Sequence, residues 1–279
     1  MENRQLKALV TLLDDPDREV FEQVESELIN SGPEVIPFLE ESWQSSPDDI
    51  LQSRLETVIE KIQFEDISKE LFLWKKYHQE DLLKGMLILN RFQYPSLDEQ
   101  KVYNELSNLS RQAWLHMMYD MSPKEHVKFL NGIIFQDFGL SGNVADYHDP
   151  QNSYLSRVLE RKKGNPLSIC VIYAWIAQKL DLPIYGVNLP RHFMLAYMDE
   201  NDEVMFYING FNRGQLMKTQ DIAAFLKHMN LPEHEAYTKP CDNLSIIKRV
   251  IRNLISSYKH HPVPSKLEAL EKLMDLMEP

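Results

Sequence analysis

The β-prone sequence of this chain is confined to one stretch, residues 184–209, while the segments on both sides repeat apolar residues at helical spacing. That distribution leaves room for one small sheet and requires that nearly everything else be helix. The stretch holds three runs, 184–188, 192–198 and 204–209, with a polar turn at 199–203 between the last two. Two short runs joined this way read as an antiparallel hairpin. A turn centred near residues 200 and 201 sets His192 opposite Asn209 on one face, with Cβ atoms roughly 5 Å apart. A register slip of one residue would put them on opposite faces. The fold class expected is therefore α+β and mostly helical.

The first 62 residues carry four apolar stripes separated by breaks. Leu6, Leu9, Val10, Leu12 and Leu13 precede Asp14-Asp15-Pro16-Asp17, which combines capping residues with a proline. Val20, Val24, Leu28 and Ile29 end at Asn30-Ser31-Gly32-Pro33. Val35, Ile36, Leu39 and Trp43 end at Ser45-Ser46-Pro47-Asp48, and Leu51, Leu55, Val58, Ile59 and Ile62 follow. Two consecutive helix pairs with similar breaks are HEAT-like. Helical stripes continue from about 65 to 160, interrupted at 139–150 by Gly, Asn, Asp and Pro residues; a loop this long suggests binding or a lid. Helices are expected at 152–163, 167–180 and 221–229. Two more, 244–258 and 264–277, form a TPR-like hairpin that must dock on the rest. The expected organisation is a HEAT-like segment at 1–62, a core domain at 63–235 and the hairpin at 236–279.

A formal net charge of −12 argues against nucleic-acid binding, which rests on neutralising phosphates. Arg161-Lys162-Lys163 reads as a solvated helix end. No apolar run approaches the roughly 20 residues of a membrane span, and the N-terminus lacks an apolar leader. The two cysteines, Cys170 and Cys241, form no disulfide framework. The expected setting is the cytoplasm, with reduced thiols. The histidines show no metal-ligand pattern, His260-His261 reads as an exposed loop, and no glycine-rich phosphate loop is present, so no cofactor or metal is expected.

Thiol catalysis requires an easily ionised cysteine, an imidazole to accept its proton and a third group to orient the imidazole. Cys170 follows the break Gly164-Asn165-Pro166. With Asn165 as N-cap, Cys170 lies about one turn into the helix; with Ser168 as N-cap, it lies at the second helical position, where the positive helix end lowers a thiol pKa most. Asn209 could accept from one His192 nitrogen and leave the other free. Spacing alone leaves Cys170 as a small buried residue on an apolar helix.

The strings Phe135-Gln136-Asp137-Phe138-Gly139-Leu140-Ser141-Gly142-Asn143 and Asp149-Pro150-Gln151-Asn152-Ser153-Tyr154-Leu155 resemble the SirB-type proteins of bacteria. So do Val158-Leu159-Glu160-Arg161-Lys162-Lys163-Gly164-Asn165-Pro166-Leu167-Ser168 and Gly186-Val187-Asn188-Leu189-Pro190-Arg191-His192-Phe193. The resemblance covers roughly residues 82–217, and more weakly the C-terminal helix pair. It implies a transglutaminase-like fold of the papain-like superfamily, in which a helix carrying the nucleophile packs on an antiparallel sheet carrying the histidine and an acidic or amide residue. Cys170, His192 and Asn209 fall at the matching positions. The chain departs from the family by Asn209-Gly210-Phe211-Asn212-Arg213-Gly214 in place of Asp-Pro-Phe-Asn-Gly-Gly, and by Arg191 in place of Gly. Asn is workable as a third member, since papain-like proteases use Cys-His-Asn, but it supplies no negative charge. The resemblance implies two functions: acyl transfer or amide hydrolysis on protein or peptide substrates, or an inactive domain that binds a protein partner.

Overall fold

The computed structural model describes residues 3–118 and 120–278. Helices α2 (Arg18–Asn30) and α3 (Ile36–Ser45) pack against α4 (Asp49–Tyr77), and α1 (Asn3–Leu12) packs on α2 and α3. The breaks work as caps. The Asp17 carboxylate accepts from the Glu19 N–H, and the Asp48 carboxylate accepts from the N–H groups of Ile50 and Leu51. These helices enclose a core that runs from Leu6 to Ile62. The second half of α4 buries Ile67, Leu71 and Trp74 in a different and larger core. The boundary expected after residue 62 thus falls inside one continuous helix, between the last residue of one core and the first of the other.

The larger core is built from α5 (Leu82–Arg91), α6 (Glu99–His116), α7 (Pro123–Asn131), α8 (Leu155–Arg161) and α9 (Pro166–Gln178), with a π-helical turn at Gly132–Asp137. The two-residue strands β1 (Ser141–Gly142) and β2 (Lys163–Gly164) pair in parallel. The helix expected at 152–163 is shorter: Pro150–Ser153 forms a 3-10 turn and α8 begins at Leu155, because the fixed φ of Pro150 and the Asp149 cap favour a tight turn first.

The sheet contains β3 (Ile184–Val187), β4 (Met194–Met198), β5 (Val204–Asn209) and β6 (Gln215–Met217), all antiparallel and in that order. The first three coincide with the β-prone runs. Three residues are too few to show alternation, so β6 leaves no sequence signal. One face of the sheet presents Leu195, Tyr197, Phe206 and Ile208 to the large core beneath α9. The other presents Met194, Ala196, Met198 and Tyr207 to Ile222 and Leu226 of α10 (Thr219–His228). Helix α9 has 11 buried residues among its 13, as a helix covered on all sides must.

The register differs from expectation by two residues. Leu195 pairs with Ile208 and Tyr197 with Phe206, which puts Asn209 in line with Met194 rather than His192. Two causes are visible. The Asp199 carboxylate accepts from the N–H groups of Asn201 and Glu203, tightening the turn. Arg191 sits at φ 60°, so residues 190–191 form a turn and the strand begins only at Met194. A left-handed position favours glycine, which accounts for the glycine expected there. A two-residue offset preserves the face.

The chain closes with α11 (Glu235–Thr238), α12 (Asn243–His260) and α13 (Pro264–Met277). The α12–α13 hairpin buries Ile247, Ile251, Leu254 and Leu273 in the large core. Lys75 of α4 donates to the carbonyls of Leu276 and Glu278 at 3.1 and 2.6 Å. Among the described residues, no helix is long and apolar enough to cross a membrane.

Candidate functional site

The N-terminus of α9 is a capping box. Asn165 Oδ1 accepts from the Ser168 N–H at 2.9 Å, and Ser168 Oγ accepts from the Asn165 N–H at 3.1 Å. Asn165 is therefore the cap, Pro166 the first helical residue and Cys170 the fifth. That is past the first turn, where the helix end acts most strongly on a charge.

Cys170 has no exposed surface. Its Sγ–H points to the Phe193 carbonyl oxygen at 3.7 Å, and the Gly210 N–H faces the sulfur. Burial pushes the thiol up to about 12, and the Gly210 N–H offsets this only in part. Among the described residues, His192 makes no hydrogen bond to the thiol. Gly210 is a close-approach glycine, since a Cβ there would lie 2.8 Å from the sulfur. Gly210→Ala should destabilise the protein by roughly 2 kcal/mol through overpacking. Cys170→Ala in the same chain should recover most of that loss, as read from urea denaturation midpoints.

His192 lies in the loop before β4 and is half-buried. Its N–H donates to the Leu189 carbonyl at 3.1 Å, and the Asn209 side chain lies near enough to its ring to favour the protonated form. Asn209 Oδ1 also accepts from the Asn212 N–H at 3.1 Å, capping the 3-10 turn Gly210–Asn212. Burial lowers the His192 pKa, with Arg249 adding to the effect and the Asn209 contact opposing it. The ring is therefore neutral near pH 7. The fold brings His192 and Asn209 together, and it seats Cys170 beneath the backbone of Phe193 and Gly210.

Much of the motif sequence is structural. Asn143 Nδ2 donates to Asn152 Oδ1 at 3.0 Å, and Asn152 Nδ2 donates to the Asp146 carbonyl at 2.8 Å. Asn165 Nδ2 donates to Ser153 Oγ at 2.9 Å, and Ser168 Oγ donates to the Asn152 carbonyl at 2.7 Å. All five side chains are buried. Together they fasten the 143–153 segment to the start of α9.

A cleft of about 450 Å³ opens beside α9, between Tyr103, Trp175, Tyr185, Phe193 and Cys241. Cys170 belongs to its wall yet presents no surface to it. Cys241 donates its S–H to the Gly186 carbonyl at 3.4 Å, and burial pushes this thiol up to about 12 as well. Among the described residues, no group of three or more His, Cys, Asp or Glu is arranged to hold a metal ion. Sequence reasoning missed Gly210, Phe193 and Arg249. The first two act through their backbones, and Arg249 lies far along the chain on an ordinary amphipathic helix.

Residues 100–252, more than half of the chain, match the profile of the Transglutaminase-like superfamily. A UPF0162 protein of Xylella fastidiosa (strain 9a5c) is 30% identical over 190 residues, covering 63% of this chain and 64% of that protein. Protein SirB1 of Salmonella typhimurium is 26% identical over 185 residues, covering 65% and 68%. F-box only protein 21 of Homo sapiens is 26% identical over 156 residues, covering 53% of this chain and 24% of that protein. The match therefore spans a little under two thirds of the length of the first of these relatives. No solved structure matches.

Proposed function

The chain belongs to the transglutaminase-like superfamily, among SirB-type relatives, and we propose that within it this protein is a protein-binding module rather than a thiol enzyme. One observation carries the reading: Cys170 is wholly buried with its thiol raised to about 12, so at neutral pH it is protonated and out of reach of a substrate. In this reading Cys170 is a core residue, and the His192–Asn209 pair holds the loop before β4 against the turn after β5. The partner is a protein or peptide. Trp114, Leu115 and Met118, exposed by 60% or more at the end of α6, support that class of partner. Both cysteines are free, which fits a reducing compartment, and the cytoplasm is the location proposed.

The test is iodoacetamide alkylation of Cys170 in a Cys241→Ser background, followed by mass spectrometry. The folded protein at pH 7 should react about a thousandfold more slowly than the urea-unfolded chain, since its thiolate fraction is that much smaller. Rapid alkylation below pH 7 that His192→Ala abolishes would overturn the binding reading. It would support the second one, in which Cys170 is the nucleophile, His192 the base and Asn209 its orienting group in acyl transfer or amide hydrolysis. The nearness of the Asn209 side chain to the His192 ring favours that alternative, which also requires the thiol to leave the core.

A further inference from the structure

Arg249 on α12 is half-buried, and among the described residues it pairs with no carboxylate. Its Nη1 donates to Asn188 Oδ1 at 2.8 Å. Among the described residues the remaining donors of its planar fork have no protein acceptor and stay open to solvent. A half-buried guanidinium without a counter-charge carries a partial desolvation cost that an incoming anion would relieve. The charged and titratable groups whose fields reach Arg249 are the Arg252 guanidinium one turn further along α12, the Tyr147 phenol and the Cys241 thiol, and the field of Arg249 in turn reaches the His192 ring. None of these is a carboxylate. Arg252 reaches Glu278 only at 4.0 Å, while that carboxylate sits 3.0 Å from Lys248. The carboxylates of the 143–149 loop are taken up elsewhere, Asp146 by His261 and Asp149 by Arg161, so in a chain of net charge −12 none of them pairs with Arg249.

We propose that Arg249 and Arg252, flanked by Asn188, His192 and Tyr147, form a binding site for a carboxylate carried by a partner polypeptide. A carboxylate fits better than a phosphate. With His192 neutral and Arg252 shared with Glu278, the cluster offers about one uncompensated positive charge, and a guanidinium fork matches a carboxylate in two parallel hydrogen bonds. The site adds to the binding reading the chemistry that the partner presents. It rests on that reading for the owner of the carboxylate, but its donors are on α12 and its test does not involve the Cys170 thiol.

The experiment is an NMR titration of the full chain at pH 7 and fixed ionic strength, following the His192 ring protons, assigned by their loss in His192→Gln. The probes are N-acetylglycine (a chain-end carboxylate), N-acetylaspartate α-amide (a side-chain carboxylate), neutral N-acetylglycinamide and inorganic phosphate. At least one carboxylate should give saturable shifts, and the stronger of the two identifies the source. N-acetylglycinamide should give none. Arg249→Gln should weaken binding at least tenfold, with Arg249→Lys intermediate and both variants folded by near-ultraviolet circular dichroism. The proposal is overturned if no probe saturates, if the neutral amide binds as well, if phosphate binds more tightly than either carboxylate, or if a folded Arg249→Gln binds like the wild type. Should Arg249→Gln fail to fold, Arg249→Lys alone decides: binding unchanged from wild type overturns the proposal, and weakened binding supports it.

Discussion

Trp74→Ala is expected to cost about 4 kcal/mol of folding stability, the usual range for emptying a fully buried tryptophan site. Trp74 has no exposed surface and is the largest fully buried side chain in the protein. Its ring lies so close to Gly85 of α5 that a Cβ there would stand 2.8 Å from it. Its indole N–H donates to the Asp81 carbonyl at 2.7 Å, tying the end of α4 to the start of α5. The substitution therefore empties a large volume and strips a carbonyl of its partner. A melting temperature roughly 10 °C lower is expected for a unit of this size. The transition followed by near-ultraviolet circular dichroism should report it, while the core between Leu6 and Ile62 keeps its contacts.

Asn152→Ala should have the next largest effect, about 3 kcal/mol, by leaving buried polar groups without partners. Asn152 is 1% exposed. Its loss orphans Asn143 Nδ2, which is buried, and frees the carbonyls of Asp146 and Tyr147 that now accept from Asn152 Nδ2. The capping box at Asn165 and Ser168 stays intact, so helical content should hold. Residues 143–149 should instead become open to proteases. Limited proteolysis should show new cuts there, and a cleavage pattern identical to wild type would contradict the role assigned to Asn152.

These effects show which parts of the fold were legible in the sequence. Helical stripes and their breaks located the N-terminal helices, because each break supplied its own cap, as Asp17 and Asp48 do. The β-prone runs located three strands, because runs of four to six such residues bounded by turns stand out from the helical stripes around them. The strand β6 did not show, since it is held by backbone bonds to β5 and three residues carry no period. The family strings identified the superfamily, yet a local string cannot say whether its polar residues face a substrate or one another. Asn143, Asn152, Ser153, Asn165 and Ser168 face one another. Cys170 was legible as a core residue by spacing and as a nucleophile by resemblance. Its burial depends on how Phe193 and Gly210 close over it, and that is a tertiary fact.

The 29-residue helix α4 has a further consequence, which is one of phase. Its first half faces one core and its second half the other, so the angle between the two buried stripes is fixed by the number of residues separating Ile62 from Ile67. Each residue of an α-helix turns about 100° and advances about 1.5 Å. One residue inserted in that interval would swing the N-terminal helices about 100° around the rod. An insertion of seven would return them almost to their original azimuth, about 10 Å further out. The orientation of the N-terminal unit is thus set by counting residues along one helix, and a single deletion there would change where the whole unit points while removing none of the fully buried residues of either core.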